Sequence, residues 1–178
     1  MSAKSRAKEF DSRERPVEAA ASYEEAITAT EADIEVYLNL VVLYLVCLDF
    51  GYSSYHRLTN EFIKRASSRI PALLAEAERR FGASNEIQFW RYYASYLRGS
   101  EPEFQRCLQL AKVGPSRVPY FHVFALPEGS SYEPQAKELL SVVAGGKTEK
   151  ERYIRSVLQS ALNMRKQERK KKASKRLK

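Results

Sequence analysis

The chain has 178 residues, 44% of them hydrophobic and 29% charged, a length and balance that support one buried core without disulfides or metal. Two Cys and two His exclude a zinc module or disulfide scaffold built from those residues, and seven Gly and seven Pro are too few for a loop-rich β fold or a disordered chain. The net charge of +8 is concentrated in one place: residues 165–178 hold nine Lys/Arg against one Glu, leaving residues 1–164 neutral at 21 basic and 21 acidic side chains.

Residues 1–15 mix charges around no apolar core, so they read as a flexible charged lead-in and not as a secretory signal. Pro16 suits a first helical turn, where its missing N–H costs nothing, and the Ala/Glu-rich string from Val17 to about Thr30 is helical by propensity. Asp33 can cap a second helix, Ile34 to Phe50, with Gly51 as its stop. That helix is apolar nearly all round and should be sandwiched between others. Its apolar run, Leu40 to Leu48, is far shorter than the about 20 residues a membrane span needs, so no insertion is expected.

Ser53 or Ser54 can cap a third helix that Pro71 kinks or restarts before Gly82. Ser84 or Asn85 caps the next, which stops at Gly99; Ser100 caps another, which runs to Val113. Joints this short force antiparallel neighbours. Gly51, Gly82, Gly114 and Gly145 recur at near-equal spacing, close to one helical-hairpin repeat. Residues 115–131 break the rhythm: three prolines bracket an apolar run whose Val118, Phe121, Phe124 and Leu126 should pack onto the last helices. Tyr132 to Val143 returns to helix and ends at Gly145-Gly146, and Thr148 with Glu151 forms a capping box that starts a final helix running into the basic tail.

Parts of this pattern resemble the tetratricopeptide repeat, a pair of antiparallel helices. Ala19-x3-Tyr23-x2-Ala26 is similar to its second helix, and Tyr37-x2-Leu40-Val41-x2-Tyr44 follows in phase as a first helix. Trp90-x2-Tyr93-Ala94-x2-Leu97 resembles another first helix, with Phe104-x3-Leu108-x2-Ala111 as its second. The likeness covers two islands, 17–50 and 86–113. It implies an all-α protein of about seven helices in antiparallel hairpins, a short solenoid, with an irregular helical bundle as the alternative. It also implies a groove lined by Gln88, Arg91, Ser95 and Arg98 in one helix, and by Glu35, Leu38, Val42 and Leu45 in the earlier one. The first set is a polar stripe whose Arg forks suit carboxylates or phosphates, or else a solvated face. The second is apolar, and so either covered or a sticky groove.

No phosphate loop, dinucleotide fingerprint, nucleophile elbow or zinc-protease motif is present, and no catalytic, cofactor or metal site is expected. Gly145-Gly146-Lys147-Thr148 lacks the earlier Gly of a phosphate loop and reads as a helix stop followed by a cap. The run 89–96, FWRYYASY, could stack bases, but Phe89, Tyr93 and Tyr96 on one face with Trp90, Ala94 and Leu97 on another suit a packed helix better. Cys47 and Cys107 sit in helical patterns as buried thiols. His56 and His122 read as boundary and packed residues, and a small His-based enzyme is the remote alternative.

The organisation read from the sequence is therefore a lead-in at 1–15, one helical domain at 16–164 and a basic tail at 165–178. The expected function is a non-catalytic adaptor or assembly factor in the cytoplasm, taking a peptide or helix, with Arg91 and Arg98 meeting acidic groups. The rival is an RNA- or ribosome-associated protein in which Arg165, Lys166, Arg169, Lys170, Lys171, Lys172, Lys175, Arg176 and Lys178 bind phosphates, or serve as a nuclear import signal in a eukaryote. The tail lacks aromatics and a large apolar face, so it should not enter a membrane.

Overall fold

In the computed structural model, residues 34–47 form a helix with no solvent face, and the remaining helices are arranged around it. Residues 1–29, 32–99, 101–113 and 133–176 are described. Among them are nine helices and no strand: α1 (Ala3–Ser12), α2 (Pro16–Thr28), α3 (Ile34–Cys47), α4 (Phe50–Tyr55), α5 (Asn60–Phe81), α6 (Asn85–Tyr96), α7 (Glu101–Val113), α8 (Glu133–Val143) and α9 (Glu149–Arg176). The protein is all-α. Consecutive helices α1–α2–α3, α5–α6–α7 and α8–α9 pack as neighbours, and α3 also touches α4, α5, α6 and α9.

The local signals act as their chemistry dictates. Asp33 accepts the Val36 N–H at 3.2 Å and starts α3; Ser84 accepts the Ile87 N–H at 3.2 Å and starts α6. Gly82 and Gly99 follow α5 and α6 with φ of +81° and +97°, a region costly to any residue with a Cβ. The Thr148–Glu151 box forms as expected: Glu151 Oε2 accepts from the Thr148 N–H and hydroxyl, both at 2.9 Å. Glu151 folds back so closely that a Cβ on Gly146 would lie 2.5 Å from its own Cβ, which restricts position 146 to glycine.

Three expectations are corrected. Residues 1–15 are not a loose lead-in. Ser2 caps α1, and Ala3, Ala7 and Asp11, spaced one turn apart, are buried where α1 meets α2. Gly51 does not end the helix before it: α3 stops at Cys47, Asp49 caps α4, and Gly51 lies inside α4. Pro71 does not restart a helix, because α5 runs through it, held by buried Ala66, Ile70, Leu73, Leu74 and Ala77 on one face. The final helix runs into the basic tail as expected, α9 being one helix from Glu149 to Arg176. The Pro-rich segment 115–131, with Val118, Phe121, Phe124 and Leu126, lies outside the described residues, as does His122.

All three residues of the second-helix signature, Ala19, Tyr23 and Ala26, are fully buried, as are Trp90 and Phe89. Both cysteines are buried free thiols. Trp90 meets Phe89 and Tyr93 edge-on at 5.4 and 5.8 Å, and its indole N–H donates to Glu86 at 3.4 Å. Trp90→Ala is expected to cost about 3–5 kcal/mol in denaturant unfolding. The emission of this single Trp, at 0% exposure, is expected at short wavelength in the native protein and to shift to the red on unfolding.

Candidate functional site

The start of α9 is the best-anchored point of the molecule. Asp11, 1% exposed at the end of α1, accepts from the Tyr23 hydroxyl at 2.9 Å, the Glu149 backbone N–H at 2.8 Å and the Arg152 guanidinium at 3.1 Å. Arg152 also grips Glu149, which accepts from the Tyr52 hydroxyl at 3.2 Å. Next to Glu149, buried Lys150 donates to Glu35 of α3 at 2.8 Å and to Glu86 of α6 at 3.1 Å. Two residues join α9 to four helices: α1 and α2 through Asp11, α3 and α6 through Lys150. Tyr153 then reaches Tyr93 of α6, hydroxyl to hydroxyl, at 2.6 Å.

This anchoring fixes one wall of a cleft of about 730 Å³. The end of α3 supplies Leu45, with Leu48 just beyond it; α4 supplies Tyr52 and Tyr55; the end of α6 supplies Ala94, followed by Leu97 and Arg98; α9 supplies Tyr153. Volume and lining fall within the range of sites that hold organic groups. The cleft-forming elements carry three large apolar side chains in water: Phe50 at 84% exposure, Tyr55 at 77% and Leu97 at 50%. Burial raises the phenols of Tyr52, Tyr93 and Tyr153 above the ordinary tyrosine range, so they act as neutral hydrogen-bonding groups.

Of the eight groove positions read from the repeat resemblance, Leu45 and Arg98 line this cleft. Leu38 and Val42 are buried, and Glu35 is engaged by Lys150. Gln88 and Arg91 both bond Glu78 of α5 at 2.7 Å, so they fasten α5 to α6. Ser95 is half-buried and is not among the cleft residues. Among the described residues the Arg98 guanidinium bonds only the Ala94 carbonyl, at 3.2 Å, and forms no ion pair, although Asp49 lines the same cleft. Of the basic tail, Lys166, Lys170 and Lys171 are exposed, Arg165 is half-buried, and Arg169 is bonded to Glu133 of α8. The side chains of Lys172, Lys175, Arg176 and Lys178 lie outside the described set.

Sequence reasoning missed Tyr52, Tyr55 and Leu48. The available signal is the density of aromatic residues in DFGYSSY, where Gly51, Ser53 and Ser54 look like a helix stop and cap.

Burial pushes the thiols of Cys47 and Cys107 up to about 12, so neither is a nucleophile at neutral pH. His56 closes α4 and packs on Tyr52 and Tyr55 at ring distances of 4.3 and 4.9 Å. Among the described residues no three His, Cys, Asp or Glu side chains converge to hold a metal ion. No described helix is long and apolar enough to cross a membrane. A second, smaller cavity of about 240 Å³ is lined by Asn39 and Lys150, and the buried Asn39 Oδ1 has no partner there.

The anchor makes two predictions. Burial lowers the basicity of Lys150, but Glu86 and Glu35 outweigh it and hold the ammonium above its ordinary range. Lys150→Met therefore strands two carboxylates and is expected to cost about 2–4 kcal/mol, somewhat less than a fully buried pair because Glu35 is half exposed. Adding Glu86→Gln should recover part of that loss in the same denaturant titration. Burial also pushes the Asp11 carboxyl up to about 6 from 3.8, against its donors Tyr23, Arg152 and the Glu149 N–H. The folded chain thus holds this proton where the unfolded chain has released it, and the stability from this group falls as pH rises between those values. Relative to Asp11→Asn, the wild type is expected to lose about 2 kcal/mol between about pH 4 and 6.5, read from paired urea titrations.

No family model, no curated protein and no solved structure matches the chain.

Proposed function

We propose that this chain is a non-catalytic interaction module of tetratricopeptide-like helical hairpins, which takes a peptide or helix of another protein in the cleft between α3, α4, α6 and α9. The observation that carries this reading is the pairing of an open, mostly apolar cleft with Arg98, which forms no ion pair among the described residues, at its edge. Exposed Phe50, Tyr55 and Leu97 are costly in water and gain on contact with an apolar partner. Tyrosine and arginine are also the side chains that dominate interface energies. The occupant is a segment with a large apolar anchor and a neighbouring Asp or Glu, because only an acidic group matches Arg98. The two buried, unpaired thiols fit a reducing compartment, and the cytoplasm is the proposed location.

Selection from a random peptide library displayed on phage tests this directly. The enriched peptides are expected to carry an aromatic or Leu anchor within a turn of an acidic residue. Their affinity for Leu97→Asp and for Arg98→Glu should fall about tenfold or more, roughly 1.4 kcal/mol or above. Selected peptides that bind both variants as tightly as the wild type would place the interaction elsewhere.

A further inference from the structure

The last buried residues of α9 are Ile154, Leu158 and Ala161, a stripe one turn apart that faces the rest of the molecule. The same stripe continues through positions 165, 168, 172 and 176, which are Arg, Glu, Lys and Arg. The helix therefore changes from core element to charged rod where its inner face changes from apolar to ionic. Arg169 is tied back to Glu133 at the start of α8, and beyond that tie the helix goes on to Arg176. Lys166, Lys170 and Lys171 are exposed on the outward sides, and no bond ties them to the body among the described residues. At 100° per residue, positions 166, 169, 170 and 171 spread cations over more than half of the rod's circumference.

A cationic rod of this kind fits one class of polyanion better than the others. A membrane surface presents its charge on one side only and rewards a helix with an apolar face, which this segment lacks. A single strand is held largely by bases stacked on aromatic side chains, and residues 165–178 contain none. The major groove of a B-form duplex is about 12 Å wide, admits an α-helix, and flanks it with phosphates on both sides. The A-form major groove is too narrow and deep to do so. The helix itself gains from the contact. Like charges stand four residues apart at 166/170, 171/175 and 172/176, and each such pair opposes the helix until a phosphate neutralises it.

We infer that the distal part of α9 is a helical arm that binds the phosphates of double-stranded DNA across its major groove, without sequence preference. The arm is separate from the peptide cleft and does not depend on it. Because residues 1–164 are neutral, the arm carries the whole electrostatic attraction. Four to six phosphate contacts would give a log–log salt slope of about −4 to −5.

The test is fluorescence anisotropy of the full chain with a labelled random-sequence DNA duplex. Parallel titrations use the RNA duplex of the same sequence, the separate DNA strands, and phosphatidylserine-containing vesicles. The DNA duplex is expected to bind most tightly, with that slope, and to raise the far-UV helix signal of the protein. Lys166→Gln/Lys170→Gln/Lys171→Gln removes three exposed charges and no described contact with the body. It should bind the duplex about tenfold or more weaker and flatten the slope by about 2 to 3, while still binding the selected peptides. Three results would each overturn the inference: no duplex binding at low salt, a slope unchanged in the triple variant, or equal or tighter binding to the RNA duplex, the single strands or the vesicles.

Discussion

A helix without a polar side cannot sit at the edge of a protein, and α3 is such a helix: eleven of its fourteen residues are buried. Each large apolar side chain on it contributes about 1.5–3 kcal/mol when removed from water, so covering every face of α3 governs the placement of everything else. Stacked hairpins alone cover a helix on two or three sides. Here α2 and α5 flank α3 in hairpin fashion, α6 adds a further contact, and α9 returns from the far end of the chain to cover what remains. The cleft lies where this cover is incomplete, at the ends of α3 and α6, because both helices stop there and α4 is only six residues long.

The return of α9 is directed by charge as well as by apolar contact. Asp11 and Lys150 are both deeply buried, and each is surrounded by groups of opposite sign or by hydrogen-bond donors. Buried ion pairs add little net stability compared with apolar packing, but an unpartnered buried charge is severely costly. The arrangement therefore penalises wrong registers of α9: a shift by one turn would leave Lys150 and Asp11 in the core without partners. Arg155, bonded to the Val143, Ala144 and Gly146 carbonyls, sets the end of α8 against α9 in the same way.

Much of this fold is legible in the residues. The burial of α3, the caps at Asp33, Ser84 and Thr148, the left-handed glycines at 82 and 99, and the buried positions of Tyr23 and Trp90 all follow from local chemistry. What was not legible depends on partners distant in sequence. The face of α1 is Ala3, Ala7 and Asp11, two small residues and an acid, which resemble a solvated stretch until Tyr23, Glu149 and Arg152 are placed around Asp11. Arg91 resembles a groove residue until Glu78 of α5 is seen beside it. Pro71 reads as a break until the five buried residues around it show a face strong enough to carry the helix through. Of the candidate site only Leu45 and Arg98 were visible. The aromatic residues of α4 were not, because a Gly and two Ser among them read as punctuation.

The tie between Asp11 and Arg152 spans 141 positions, and it bears on how the molecule is made. At ribosomal rates of about 5–20 residues per second, roughly 7–30 s separate the synthesis of the two ends of that contact. For most of that interval α3 has been made and its apolar neighbours are arriving, but the face it shares with α9 has nothing to cover it. The nascent chain therefore carries an exposed band of Leu and Val, flanked by an uncompensated acid at Asp11, until almost its last helix leaves the ribosome. A chain wired in this order leaves that band open to wrong contacts for the whole wait, a cost that the stability of the finished fold does not register.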